Sequence, residues 1–173
     1  MAEATHASTE PLLEEQVGAR LRALGLTLAV AESSTGGLIA ARLTDISGSS
    51  AYLVGGIVAY ADAVKERWLG VEAKTLRTYG AVSEPVARQM AEGARLRLGT
   101  DLALSVTGIA GPTGATSTKP VGLHYIGLSA ASGTWVRRFV FGGDRHGNRQ
   151  AAADEAFRLL LDYLDGALRG TFA

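Results

Sequence analysis

From Pro11 onward apolar residues recur at helical spacing. Leu13, Val17, Leu21 and Leu24 fall on one face, and Gly25 stops the run. Leu26 to Ala31 is short, apolar and rich in strand formers, which predicts a buried strand. It leads into Glu32-Ser33-Ser34-Thr35-Gly36-Gly37 and a second helix from about Gly37 to Ile46. After a Ser47-Gly48-Ser49-Ser50 turn, Tyr52 to Tyr60 reads as a strand, with Gly55-Gly56 inside it. Asp62 is placed to cap a short helix carrying Lys65 and Trp68, and another short helix is predicted around Glu72 to Tyr79. Ser83-Glu84-Pro85 opens a helix that runs to about Leu98 and stops at Gly99.

The second half changes period. Leu102 to Val106 is a further buried strand, followed by an irregular stretch from Gly108 to Pro120. Val121 to Ala130 and Thr134 to Phe141 predict two strands joined as a hairpin through Ala131-Ser132-Gly133. Gly142 to Gly147 reads as a loop, and a last helix runs from about Asn148 to Leu168. Strands alternating with helices, then a hairpin, predict an α/β fold. The expectation is three α/β/α layers around a mixed, mostly parallel sheet with a late antiparallel hairpin. Residues 1–9 read as a flexible tail and 10–173 as a single domain.

Composition narrows the function. The 173 residues are 47% hydrophobic, enough for one core, and 17 basic residues balance 17 acidic ones. A nucleic-acid binder usually carries a basic excess, so none is expected as partner. No cysteine is present, which removes thiol nucleophiles, disulfides and thiolate metal sites together. No stretch of about twenty apolar residues predicts a membrane span, and the polar amino terminus lacks a signal-peptide pattern. The expectations are a cytoplasmic protein with no membrane partner.

The three histidines, His6, His124 and His146, have no paired ligand spacing, so no metal is expected. Walker A and GxGxxG sequences are absent. Two glycine-rich turns, around Gly36 and from Gly108 to Gly114, each follow a buried strand. Ligands of open α/β sheets sit at the carboxyl ends of strands, so the two turns predict a cleft. With no cysteine and no GxSxG elbow, the candidate nucleophiles are the serines of the Ser33-Ser34 and Ser49-Ser50 turns. A serine needs a base. Lysine serves when burial keeps its amine neutral, and Lys65, just after an apolar strand ending in Tyr60, is the candidate.

The segments AESSTGG (31–37), TDISGSSAY (44–52), GGIVAYADAVKERWLGV (55–71), GAVSEPVARQMAEGA (80–94), VTGIAGPTG (106–114), KPVGLHYIG (119–127) and GDRHGNR (143–149) run in order along the chain. Together they resemble the CinA carboxy-terminal domain family from about Leu13 to Leu164. Stand-alone bacterial members of that family are nicotinamide-nucleotide amidases. The resemblance implies hydrolysis of the carboxamide of nicotinamide mononucleotide to nicotinic acid mononucleotide and ammonia, without a cofactor. It implies Ser50 as nucleophile, Lys65 fifteen positions later as base, Tyr60 beside them, and Thr107 near the oxyanion. It assigns Arg145 and Arg149 to the substrate phosphate, and Ser33, Gly36, Gly108 and Gly111 to the walls of the cleft. Relatives often carry cysteine where this chain has Ser34, which is read as a packing change. Family members form assemblies, so a homo-oligomer is expected. The rival readings are a non-catalytic nucleotide-binding module and an amidase for another small amide.

Overall fold

The computed structural model describes residues 10–168. The predicted tail over residues 1–9 lies outside them, as do residues 169–173. Six α-helices and five strands follow the predicted order. They are α1 (Leu13–Leu24), β1 (Leu28–Glu32), α2 (Leu38–Thr44), β2 (Leu53–Val58), α3 (Asp62–Leu69), α4 (Ala73–Tyr79), α5 (Glu84–Leu98), β3 (Leu102–Gly108), β4 (Leu123–Ala130), β5 (Gly133–Val140) and α6 (Arg145–Leu164). A 3-10 turn, Ser49–Ala51, precedes β2.

The sheet has the order β2-β1-β3-β4-β5. β1 pairs in parallel with both β2 and β3. β4 runs antiparallel to β3, and β5 antiparallel to β4. Hence β5 points the same way as the first three strands, and only β4 is reversed. This is the mixed, mostly parallel sheet with a hairpin that the pattern predicts.

Strand alternation divides two chemistries between the faces. Leu28, Val30, Leu102, Leu104 and Val106 join Val17, Leu21, Ile39, Phe157 and Leu160 in one core under α1, α2 and α6. Ala29, Ala31 and Ala103 face the other way, with Val86, Met90 and Ala94 of α5 and Leu69 at the end of α3. Small side chains on this second face let α5 approach closely. A Cβ on Gly127 of β4 would lie 3.1 Å from the Ala87 carbonyl oxygen. On the first face, Arg42 of α2 bridges Glu14 of α1 at 2.8 Å and Asp154 of α6 at 2.7 Å, which ties three helices together.

Several boundaries differ from the sequence reading, each for a local reason. The last helix begins at Arg145 rather than near Asn148, because Asp144 caps it by accepting a hydrogen bond from Gly147 N at 2.7 Å. Asp62 is not the cap of α3. Ala61 is, and Asp62 is the first helical residue. Ser83 holds the cap position of α5, yet its hydroxyl donates to the Gly80 carbonyl at 2.8 Å instead of accepting from the helix.

Candidate active site

A cleft of ≈ 300 Å³ opens beyond the carboxyl ends of β1, β2 and β3. Three chain segments reach it as strands end. β1 delivers Ser33 and Ser34, β2 delivers Tyr60, Asp62 and Lys65, and β3 delivers Thr107 and Gly108. The Gly108–Gly114 loop and Arg145 complete the walls.

The serine turn is held on all sides. Ser33 N donates to Val106 O at 2.9 Å, which extends the β1–β3 ladder by one step. The Glu32 carboxylate turns back under the start of α2 and accepts from Gly37, Ile39 and Ala40 N–H at 2.9 to 3.1 Å. A helix start is a natural site for an external anion, but here the chain fills that position with its own carboxylate. The Ser34 hydroxyl is sealed from solvent without a hydrogen-bond partner, and Ser33 beside it is nearly buried and lines the cleft.

Lys65 is the most deeply placed charge-bearing group of the cleft. Its side chain is 1% exposed. Its amine donates to the Tyr60 carbonyl at 3.2 Å and faces an Asp62 carboxylate oxygen at 3.5 Å. Burial pushes the amine below its ordinary value, while the Asp62 charge, its hydrogen bond and Tyr60 pull it part of the way back. The net direction is down, toward a neutral amine.

The expected pairing of Ser50 with Lys65 is not formed. Ser50 lies exposed in the 3-10 turn that precedes β2, and it does not line the cleft. Tyr60 and Lys65 follow the other end of that strand. The six residues of β2 put about 17–20 Å of extended chain between the two ends. A residue before a strand and a residue after it cannot share one sheet edge, so Ser33 rather than Ser50 is the hydroxyl gathered with Lys65.

The remaining expectations divide. Thr107 lines the cleft, but its hydroxyl donates to the Ala81 carbonyl at 2.8 Å. Its one proton is committed there, so the oxyanion role fails in this arrangement. The Tyr60 hydroxyl, expected near the amine, accepts instead from Arg145 at 3.2 Å. Arg145 also donates to the Gly111 carbonyl at 2.8 Å, so it joins two walls of the cleft. Arg149 does not reach this cleft. It donates to the Thr35 carbonyl at 2.7 Å and borders a second, neighbouring cleft of ≈ 630 Å³ beside Pro112 and Val121. Gly36 is absent from the first cleft too. It sits with φ at 61° where Arg149 crosses the turn. Gly108 and Gly111 do line it. Among the described residues, no group of three or more His, Asp or Glu side chains is assembled in a metal-binding arrangement.

Asp62 and the carbonyl of Ala81 are site features that the sequence reading missed. By sequence position 62 reads as a helix cap, and the i, i+3 spacing to Lys65 is the signal that points to its role. His124 explains why position 108 is glycine. Its ring is fully buried, opposite Gly108 in the β3–β4 ladder, and a Cβ on Gly108 would lie 2.1 Å from it. Gly108→Ala should therefore overpack the floor and lower stability by about 1–3 kcal/mol. Chemical denaturation measures this, and a variant matching the parent would show that the ring yields freely.

Comparison with known proteins places this arrangement among relatives. The profile of the CinA C-terminal domain family matches residues 10–164. A CinA-like protein of Salinibacter ruber is 52% identical over 152 residues, covering 86% of this chain and 37% of the relative. A CinA-like protein of Geobacter sulfurreducens is 51% identical over 152 residues, covering 88% and 36%. The chain thus spans less than half the length of the curated relatives it matches. Among solved structures, a competence/damage inducible protein from Agrobacterium tumefaciens is 41% identical with a TM-score of 0.83, covering 92% of this chain and 99% of its own. A CinA superfamily protein from Klebsiella pneumoniae is 32% identical with a TM-score of 0.86, covering 89% and 96%. Among the described residues no helix is long and apolar enough to cross a membrane.

Proposed function

The chain belongs to the CinA C-terminal domain family, and from that premise we propose that it works as a nicotinamide-nucleotide amidase. It hydrolyses the carboxamide of nicotinamide mononucleotide to nicotinic acid mononucleotide and ammonia. One observation carries the reading. A buried lysine amine, driven toward its neutral form, shares a small cleft with Ser33 at the carboxyl ends of parallel strands.

In the proposed reaction Lys65 takes the Ser33 proton as the serine oxygen attacks the carboxamide carbon. Negative charge grows on the amide oxygen. The Ser34 and Thr35 N–H groups make no backbone hydrogen bond among the described residues, and they follow Ser33 directly. They are suited to receive that charge, as is the amide after the nucleophile in other serine hydrolases. Lys65 then passes its proton to the departing ammonia, and water releases the acid. Here the Lys65 amine donates to the Tyr60 carbonyl rather than to a serine. Catalytic contacts commonly tighten only when substrate binds. Arg145 is the cation of the cleft rim and is suited to the phosphate.

The experiment offers nicotinamide, its riboside and its mononucleotide separately and measures ammonia. The mononucleotide should react fastest. Equal rates on all three would remove the phosphate role of Arg145. Turnover of none at high protein concentration would leave a binding module.

A further inference from the structure

We propose that Asp62 is the positioning residue of this site, holding the Lys65 amine in place and setting the acidity at which it works. The proposal rests on the reading of Lys65 as the base.

The geometry is specific. Asp62 opens α3 and Lys65 lies three residues later, so one helical turn brings the two side chains together. Their charged atoms are 3.5 Å apart, and among the described residues Asp62 is the acidic partner that the amine meets. The pair is asymmetric. The lysine side chain is 1% exposed, whereas the aspartate is 56% exposed and lines the same cleft. The amine is also pinned from behind by the Tyr60 carbonyl at 3.2 Å. Two anchors, the Tyr60 carbonyl and the Asp62 carboxylate, fix where Nζ points.

The chemistry gives this contact a purpose. The base must accept a proton from a serine hydroxyl and then surrender it to ammonia. Burial alone would carry the amine too far. A strongly disfavoured ammonium holds a proton poorly, and the first transfer slows. A carboxylate near Nζ offsets part of that burial, in the direction opposite to desolvation. The other ionisable or charged groups facing the amine's surroundings are few. From the segment before α3 comes Tyr60, whose hydroxyl is turned toward Arg145. From α6 comes Arg145 itself, held by Gly111 and Tyr60. The serines and Thr107 are uncharged. Asp62 is the carboxylate that opposes burial, and Tyr60 adds a smaller contribution in the same direction.

The test reads the amine without substrate. The Lys65 side-chain resonances, in protein labelled at lysine, are titrated in the parent, Asp62→Asn and Asp62→Glu. Asp62→Asn should move the Lys65 midpoint to lower pH by at least about half a unit, a threefold change in proton affinity, and Asp62→Glu should recover much of it. An unchanged midpoint in Asp62→Asn overturns the proposal. The second readout is the pH profile of kcat/KM for ammonia release. Its acidic limb should shift to lower pH in Asp62→Asn, with a lower plateau, and return with Asp62→Glu. A uniform loss with no shift of the limb would assign Asp62 a structural role and overturn the proposal. If the parent turns over no substrate, the amidase reading fails, while the titration still decides the position of Asp62.

Discussion

Ser33→Ala is expected to lower kcat by about a thousandfold or more, while Ser50→Ala stays within about twofold of the parent. Removing a covalent nucleophile leaves only binding and oxyanion stabilisation, which explains the size of the first effect. The second follows from position. Ser50 is exposed before β2, away from the cleft that holds Ser33 and Lys65. Ser33→Ala deletes one oxygen from a turn whose backbone is fixed by Glu32 and Val106, so the fold should survive. Ammonia release and circular dichroism of both variants check this together. A dead Ser50→Ala enzyme beside an active Ser33→Ala enzyme would transfer the nucleophile back to the 3-10 turn.

Lys65→Met should be equally inactive yet at least as stable as the parent near pH 7. The methionine keeps the apolar stem and removes an amine that burial disfavours when charged. The pH dependence has a definite sign. The folded amine lies below its reference value of 10.5. Between the folded and unfolded values the unfolded chain binds a proton that the folded chain has released. Stability therefore rises with pH across that window and levels off above the unfolded value. Lys65→Met lacks this contribution, so the parent should gain on the variant as pH climbs toward the unfolded value of 10.5. Thermal midpoints of both proteins across that range measure the difference. A parent that loses ground with rising pH would mean that the folded amine is held in its charged form. Lys65→Arg should be inactive as well, since a guanidinium does not give up its proton at these pH values.

The elements were legible because the chain announces them by period and punctuation. Gly25 and Gly99 both end helices in left-handed conformation, and Glu84-Pro85 opens α5. The hairpin of β4 and β5 is centred on the predicted Ala131-Ser132-Gly133 connection. The site was legible in kind but not in pairing. Two serine turns are visible in the sequence, and the family resemblance points to Ser50, which the structure places outside the cleft that holds Lys65. The strand rule would have separated them. Ser33 follows a parallel strand and Ser50 precedes one, and only the former edge gathers ligands in this class of sheet. Sequence spacing carries no information about which end of a strand a residue occupies until the strand's direction is assigned. Other misses have a different origin. The hydroxyls of Thr107 and Ser83 and the guanidinium of Arg149 bond to main-chain carbonyls of distant or neighbouring segments. Such partners have no side-chain identity to read in advance.

The Glu32 carboxylate under α2 also decides which way round a negatively charged ligand can lie. With those helix amides spoken for, the start of α2 offers such a ligand's anion no attraction, and Asp62 in the cleft wall repels it. Of the charges bordering that cleft, Lys65 is sunk in the wall, whereas Arg145 is exposed. For a molecule with an anion at one end and an amide at the other, as the proposed reaction requires, this sorts head from tail, because the α2 berth is already taken and Arg145 is the exposed cation left to it.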